Sequence, residues 1–184
     1  MNRAVNKLVF GILLYPLYLI SRIIPKSDDV WIFGAWYGNR YSDSPSYLFE
    51  YVHQDIPEIR AIWLSNKSEV ISKLQSRGFN AYHRNSPKGF WYCCRANVTF
   101  VNCGYSDVNK YAVGCSFKVQ IWHGIPMKKI KNDDKINQNR KYFTLFVFIK
   151  AMLLKLFPFL DEKWDLIISS SQEVTKRLSS AFSV

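Results

Sequence analysis

The chain is 184 residues long, enough to bury a substantial core within one domain. Hydrophobic residues make up 48% of it, aromatic residues 16% and charged residues 21%, a balance that excludes global disorder. Its 25 Lys and Arg against 14 Asp and Glu give a formal net charge of +11, a field that attracts polyanions: nucleic acid, anionic lipid headgroups or a phosphate-rich polymer.

Leu8–Ile20 carries no charge, yet it is shorter than the roughly 20 apolar residues that span a bilayer as a helix. Pro16 interrupts it, and no small-x-small cleavage site follows. Arg3, Lys7, Arg22 and Lys26 flank the stretch, a placement that suits an anionic membrane surface better than a nucleic-acid groove. Residues 1–27 therefore read as an interfacial anchor touching lipid through Leu8, Phe10, Leu13 and Leu14, or as a terminal helix packed on its own domain.

From residue 28 onward apolar runs alternate with helix signals. Val30–Phe33 closes at Gly34 as a buried strand, and Ser44-Pro45 has the form of an N-cap followed by proline in the first turn. Ile59–Leu64 is strand-like. Asn66-Lys67-Ser68-Glu69 has capping-box spacing, and Gly78 is placed to end the helix that follows. Asn80–His83 predicts a short strand, Ser86-Pro87 opens a helix through Cys94, and Val98–Asn102 and Lys118–Trp122 predict two more strands. Tyr142–Leu160 is apolar on most faces, with Lys150 and Lys155 inside it. It reads either as a core or interdomain helix, or as one seated shallowly in a leaflet through Phe146, Phe148, Leu153 and Leu154. Asp165–Ser169 predicts a last strand, and Ser170–Glu173 matches a capping box.

Strands separated by helices of this length predict βαβ units and a Rossmann-like parallel sheet covered on both faces. Ligands of such sheets collect at the carboxyl ends of strands, here Gly34–Ser44, His123–Lys129 and Ser169–Ser171. Neither a dinucleotide fingerprint nor a Walker loop is present. Cys93, Cys94, Cys103 and Cys115 lack C-x-x-C spacing and read as reduced thiols, with no metal site expected.

Gln120–Lys129 carries the most chemistry. It delivers the imidazole of His123 to the end of a buried strand, allows close ligand approach or unusual backbone angles at Gly124, fixes a turn at Pro126 and supplies Lys128 and Lys129. An imidazole accepts a hydroxyl proton near neutral pH, and nearby ammonium groups neutralise phosphate charge. His53 and His83 read as surface residues. A structural histidine at a strand end is the competing account of His123.

Trp122-His123-Gly124-Ile125-Pro126-Met127-Lys128 resembles the WHGTPLK motif of the CDP-glycerol glycerophosphotransferase family, which builds wall and lipoteichoic polymers. Trp31–Gly34 is similar to the family's opening strand, Tyr41–Phe49 to its segment Y-x-x-N-S-x-Y-L-F, and Trp164–Ser171 to its W/Y-D-x-x-x-x-S strand and loop. The likeness runs over residues 28–182. It implies a GT-B fold of which residues 28–184 are the acceptor-side, N-terminal domain, with an apolar helical insert at about 140–160. The C-terminal nucleotide-binding domain is expected to be absent from these 184 residues.

The resemblance further implies transfer of glycerol phosphate from CDP-glycerol, as donor substrate and with no cofactor, to a lipid-linked polyol-phosphate acceptor. His123 would be the base, and Gly124, Lys128, Lys129, Ser169, Ser170 and Ser171 would bind substrate phosphate. Location is expected to be peripheral, on anionic lipid at the cytoplasmic face of a bacterial membrane, with no nucleic-acid partner and oligomerisation left open. Ile125 for threonine, Met127 for leucine and Ser44-Pro45 for Asn-Ser depart from the family pattern. Weak or no transfer is expected from this unit alone. The other readings are a ribitol-phosphate or capsule polymer transferase, or a non-catalytic membrane or polyanion-binding remnant.

Overall fold

The computed structural model describes residues 3–124, 130, 133, 152–154 and 157–182. Helix α1 (Arg3–Ile23) precedes strands β1 (Ser27–Phe33), β2 (Arg60–Ser65), β3 (Ala81–His83), β4 (Ala96–Val101), β5 (Phe117–Gln120) and β6 (Leu166–Ile167). Helices α2 (Asp43–Asp55), α3 (Ser68–Ser76) and α4 (Pro87–Arg95) make the crossovers between the first four strands, and α5 (Gln172–Phe182) follows β6. The strands lie in the order β3-β2-β1-β4-β5-β6, every neighbouring pair parallel. The order reverses between β1 and β4, and a reversal of this kind opens a crevice beyond the strand ends.

The side-chain period of two divides each strand between two cores. Ile62 and Leu64 join Val30, Ile32 and Val101 against Cys93 and Cys94 of α4. Ala61 and Trp63 join Phe33, Phe100 and Val119 against Phe49, Val52 and Leu74 of α2 and α3. Burial on both faces explains why β2 is apolar nearly throughout. The rings of Phe33 and Phe100 stack at 4.8 Å, and Phe49 meets Phe33 edge-on at 5.4 Å. Each fully buried side chain of this size contributes about 1.5–3 kcal/mol over exposure.

Several helix ends differ from the sequence expectation. Helix α2 begins at Asp43 rather than at Pro45, and Ser42 stands at its N-cap. The capping box before α3 does not form: Lys67 is the N-cap residue, and the Asn66 amide instead donates to the Tyr37 carbonyl at 2.9 Å. Before α5 the cap lies one residue later than read, with Ser171 Oγ accepting from Val174 N at 3.3 Å. For Asn66 it is a tertiary partner that decides the use of a short polar side chain. Ser86 does cap α4, accepting from Gly89 N at 3.1 Å, and Gly78, with φ +82°, ends α3.

Helix α1 meets the domain along one face. Tyr18 is 5% exposed and Ser21 fully buried. Tyr15 packs edge-on against Phe157 at 5.2 Å, and Tyr18 against Phe159 at 5.3 Å. A Cβ on Gly114 would lie 3.0 Å from both Arg22 Cγ and Ser21 Oγ, so the small residue allows the close approach. The outer face leaves Leu13 67% and Ile23 81% exposed, with Leu17, Leu19 and Ile20 also open. Leu14, Leu153 and Leu154 are half-buried. Leu8 and Phe10 belong to α1, but their side chains, like Phe146 and Phe148 altogether, lie outside the described residues. Among the described residues no helix is long and apolar enough to cross a membrane.

Candidate functional site

The crevice beyond β1 and β4 is built by two loops in close contact. A Cβ on Gly34 would sit 2.6 Å from the Asp107 carbonyl oxygen and 2.8 Å from Val108 Cγ1, so only glycine lets the loops meet. The chain then makes one 3₁₀ turn, Trp36–Gly38, in which Trp36 (φ +50°) and Tyr37 (φ +58°) take left-handed backbone angles. Side chains from the loop after β4 hold that conformation. Asn102 Oδ1 accepts from Trp36 N at 3.0 Å, and Asp107 Oδ1 from Tyr37 N at 2.6 Å. The other Asp107 oxygen accepts from the backbone N–H groups of Asn102 (2.9 Å), Cys103 (2.7 Å) and Gly104 (3.3 Å). Burial raises the Asp107 pKa above the ordinary carboxylate range, against the pull of those N–H donors. Arg84 closes the brace from β3, its guanidinium donating to the carbonyls of Tyr37 (3.3 Å), Ser106 and Val108 (3.4 Å).

His123 enters from β5. The strand ends at Gln120, which is fully buried, and whose Oε1 accepts from Trp122 N at 3.2 Å. Trp122 turns the chain with φ +61°, leaving the His123 side chain exposed. The imidazole is nevertheless held between two indoles, at 4.5 Å from Trp122 (20° between planes) and 5.3 Å from Trp36 (35°). Trp36 is in turn fixed by Asp43, which accepts from its Nε1, and Asn102 Nδ2 donates to the same Asp43 oxygen at 3.3 Å. The Arg40 guanidinium lies over the Trp36 ring at 5.4 Å. All four described non-glycine residues with positive φ, Trp36, Tyr37, Asp43 and Trp122, lie between β1 and the first turn of α2 or just past β5, in the segments that carry the two indoles. Strained backbone concentrates where a fold holds functional groups in place.

Gly124 has φ +139°, and a Cβ there would meet no described atom within 4 Å, so backbone geometry, rather than crowding, requires glycine. Lys128 and Lys129 lie outside the described residues. At the end of β6, Ser169 Oγ is hydrogen-bonded to Thr175 Oγ1, Ser171 caps α5, and Ser170 is exposed. His83 is an exposed residue whose Nδ1 accepts from Asn85 N at 3.2 Å. His53, expected at the surface, is half-buried instead, 4.8 Å from Phe79 and 6.4 Å from Phe49, because α2 turns that face toward the end of α3. The four cysteines are free, and burial pushes the Cys93 thiol up to about 12 and Cys103 up to about 11. Among the described residues no three His, Cys, Asp or Glu side chains converge as a metal site.

Two of the three expected strand ends thus meet, through Trp36 and His123. The loop that joins them, Asn102–Asp107, was not among the expected ones. Its signal was present: Asn102-Cys103-Gly104 follows a β-rich run directly, and the rule that selects strand ends applies equally to β4. Chemically, the site presents an open imidazole on a rigid aromatic shelf. Such a ring can take a proton from an approaching hydroxyl without first being ordered.

A family model described as CDP-Glycerol:Poly(glycerophosphate) glycerophosphotransferase matches residues 16–184. The chain is 27% identical over 169 residues to a teichoic acid poly(glycerol phosphate) polymerase of Bacillus spizizenii, covering 90% of this chain and 41% of that protein. It is 25% identical over 160 residues to one of Staphylococcus epidermidis, covering 82% and 20% respectively. The fold matches the wall teichoic acid polymerase TagF, in a crystal soaked with CDPG, at a TM-score of 0.67 and 22% identity, over 99% of this chain and 44% of that one. The chain spans less than half the length of each.

Proposed function

Because the chain belongs to the CDP-glycerol:poly(glycerophosphate) glycerophosphotransferase family, we propose that it forms the acceptor side of a site that moves glycerol phosphate from CDP-glycerol to the terminal hydroxyl of a lipid-linked polyol-phosphate polymer. His123 takes the hydroxyl proton. The freed oxygen attacks the phosphorus bearing glycerol, a new P–O bond forms, and the bond to the CMP phosphate breaks with CMP as leaving group. Lys128, Lys129, Gly124 and the Ser169–Ser171 loop are proposed to receive the phosphates, where cationic and N–H donors offset the charge that develops.

The observation that carries this reading is the exposed His123 imidazole, wedged between Trp36 and Trp122 at the carboxyl edge of a parallel sheet. We place the cytidine on a second unit facing this edge, as in a two-domain GT-B cleft. Coverage of 44% of the TagF chain supports that division. A peripheral position on the inner leaflet is supported by the open apolar face of α1 and by the excess of basic residues.

The test is CMP release from CDP-glycerol with a lipid-linked acceptor, measured on the intact polypeptide that contains this unit. His123→Ala should lower the rate by about a hundredfold or more, the usual scale of a lost general base. An unchanged rate removes His123 from the chemistry.

A further inference from the structure

Two cavities, of about 330 and 630 Å³, lie under α1, and Lys110 lines both. In the smaller, four cations, Arg22, Lys110, Lys118 and Lys163, face a single carboxylate, Asp161. Lys118 and Lys163 are partly satisfied already: Lys118 donates to the Ser116 carbonyl at 2.7 Å and sits 3.8 Å from Asp165, and Lys163 sits 3.7 Å from Asp161. Arg22 and Lys110 differ. Arg22 donates to the Tyr18 hydroxyl at 3.1 Å, and Lys110 Nζ lies 4.9 Å from the Tyr111 ring centre and 5.8 Å from that of Phe159. Among the described residues neither pairs with a carboxylate. Two cations held by aromatic groups and without a described carboxylate partner, in a space that also has the apolar walls Val113, Leu154 and Phe159, favour an anion over water.

The walls identify what the anion is attached to. Leu14 and Leu17 of α1 form one side of the larger cavity. Leu17 also belongs to the open stripe Leu13, Leu17, Ile20, Ile23, whose spacing places all four on one helix face. The open stripe therefore meets the larger cavity at Leu17, and Lys110 is shared between that cavity and the smaller one that holds Arg22. A free phosphate would use only the cations, and a nucleic-acid strand would leave the leucine stripe bare. An aliphatic chain ending in a phosphodiester uses both.

We propose that the cavities under α1 bind one anionic phospholipid, its phosphate between Arg22 and Lys110 and its chain along Leu14 and Leu17. The proposal rests on the reading that this face meets the bilayer, and it is independent of the chemistry of His123. The full 184-residue chain should bind monomeric dihexanoyl-phosphatidylglycerol saturably, followed by NMR shifts of α1 amides. Arg22→Gln or Lys110→Gln should each weaken binding by about tenfold, the effect of roughly one lost ionic contact, and Leu17→Ser, which removes part of the apolar wall of the larger cavity, should weaken it severalfold. Lys67→Gln, on an exposed residue at the N-cap of α3, should leave it unchanged.

Absence of saturation overturns the site. So does equal loss from Lys67→Gln, which would mean diffuse charge, or equal binding of inorganic phosphate, which would mean that the chain is not recognised. Sedimentation with phosphatidylglycerol vesicles separates the two readings. Vesicle binding that survives Lys110→Gln and Leu17→Ser intact sinks the pocket and keeps the membrane face. Monomer binding without any vesicle binding keeps the pocket and sinks the membrane face.

Discussion

Around His123 the decisive residue is Asp43, which never touches the imidazole. Its carboxylate holds the Trp36 indole, and that ring lies against His123. Asp43→Ala should free the indole, move the His123 ring protons downfield in NMR as the ring-current shielding is lost, and slow transfer by about tenfold, the scale of a loosened catalytic geometry. Trp36→Phe, which keeps a stacking face, should restore most of the rate relative to Trp36→Ala. A second residue-scale effect concerns acid stability. Glu50 accepts from the Tyr41 hydroxyl at 2.8 Å and from Arg77 at 2.9 Å, and the Tyr41 bond first, then Arg77, holds its carboxyl below the usual range. A folded-state pKa below the unfolded one stabilises above the unfolded value, about 4.3, and that contribution disappears as pH falls through the folded value. Urea midpoints of Glu50→Gln should therefore approach those of the parent as pH drops from about 5 to 3. His123 and its motif were legible in the sequence because strand, Gly and Pro signals bracket them. Asp43 was not, since nothing local says that its carboxylate reaches back to the indole of Trp36.

At the scale of elements, the two loops that build the crevice depend on the absence of a side chain at Gly34. Gly34→Ala would push a methyl into the Asp107 carbonyl and Val108, and should cost about 1–3 kcal/mol as overpacking does, measured by urea denaturation. If the loops part, Tyr37 and Asn102 lose the Asp107 carboxylate as well, so the variant should also weaken the Trp36–His123 stack. The period-two pattern of the strands and the Gly78 stop were readable because they are local rules. The cap of α3 escapes such rules because Asn66 has a distant partner in the Tyr37 carbonyl, whereas the cap of α5 is itself local and lies one residue later, Ser171 accepting from the N–H of Val174.

Across the whole molecule, charge and apolar surface are arranged together. The +11 net charge and the open stripe on α1 predict sedimentation with anionic vesicles that weakens as salt rises. Replacing Leu13 and Ile23 by Ser should reduce that binding severalfold while leaving the thermal midpoint within a degree or two, because both side chains already face outward. The amino-acid sequence by itself determined the strand and helix alternation, the parallel sheet, the family and the strand end that carries His123. These follow from hydrophobic period, turn residues and one dense motif, all properties of neighbours along the chain. Only the tertiary structure decided that α1 presses an aromatic face onto the domain while exposing its leucines, that Asn102 and Asp107 hold the β1 loop in left-handed turns, and that Trp36 and His123 share a stack. Those contacts join residues some 60 to 140 positions apart, and the packing that selects among such partners is set by the sheet order, which no local pattern encodes.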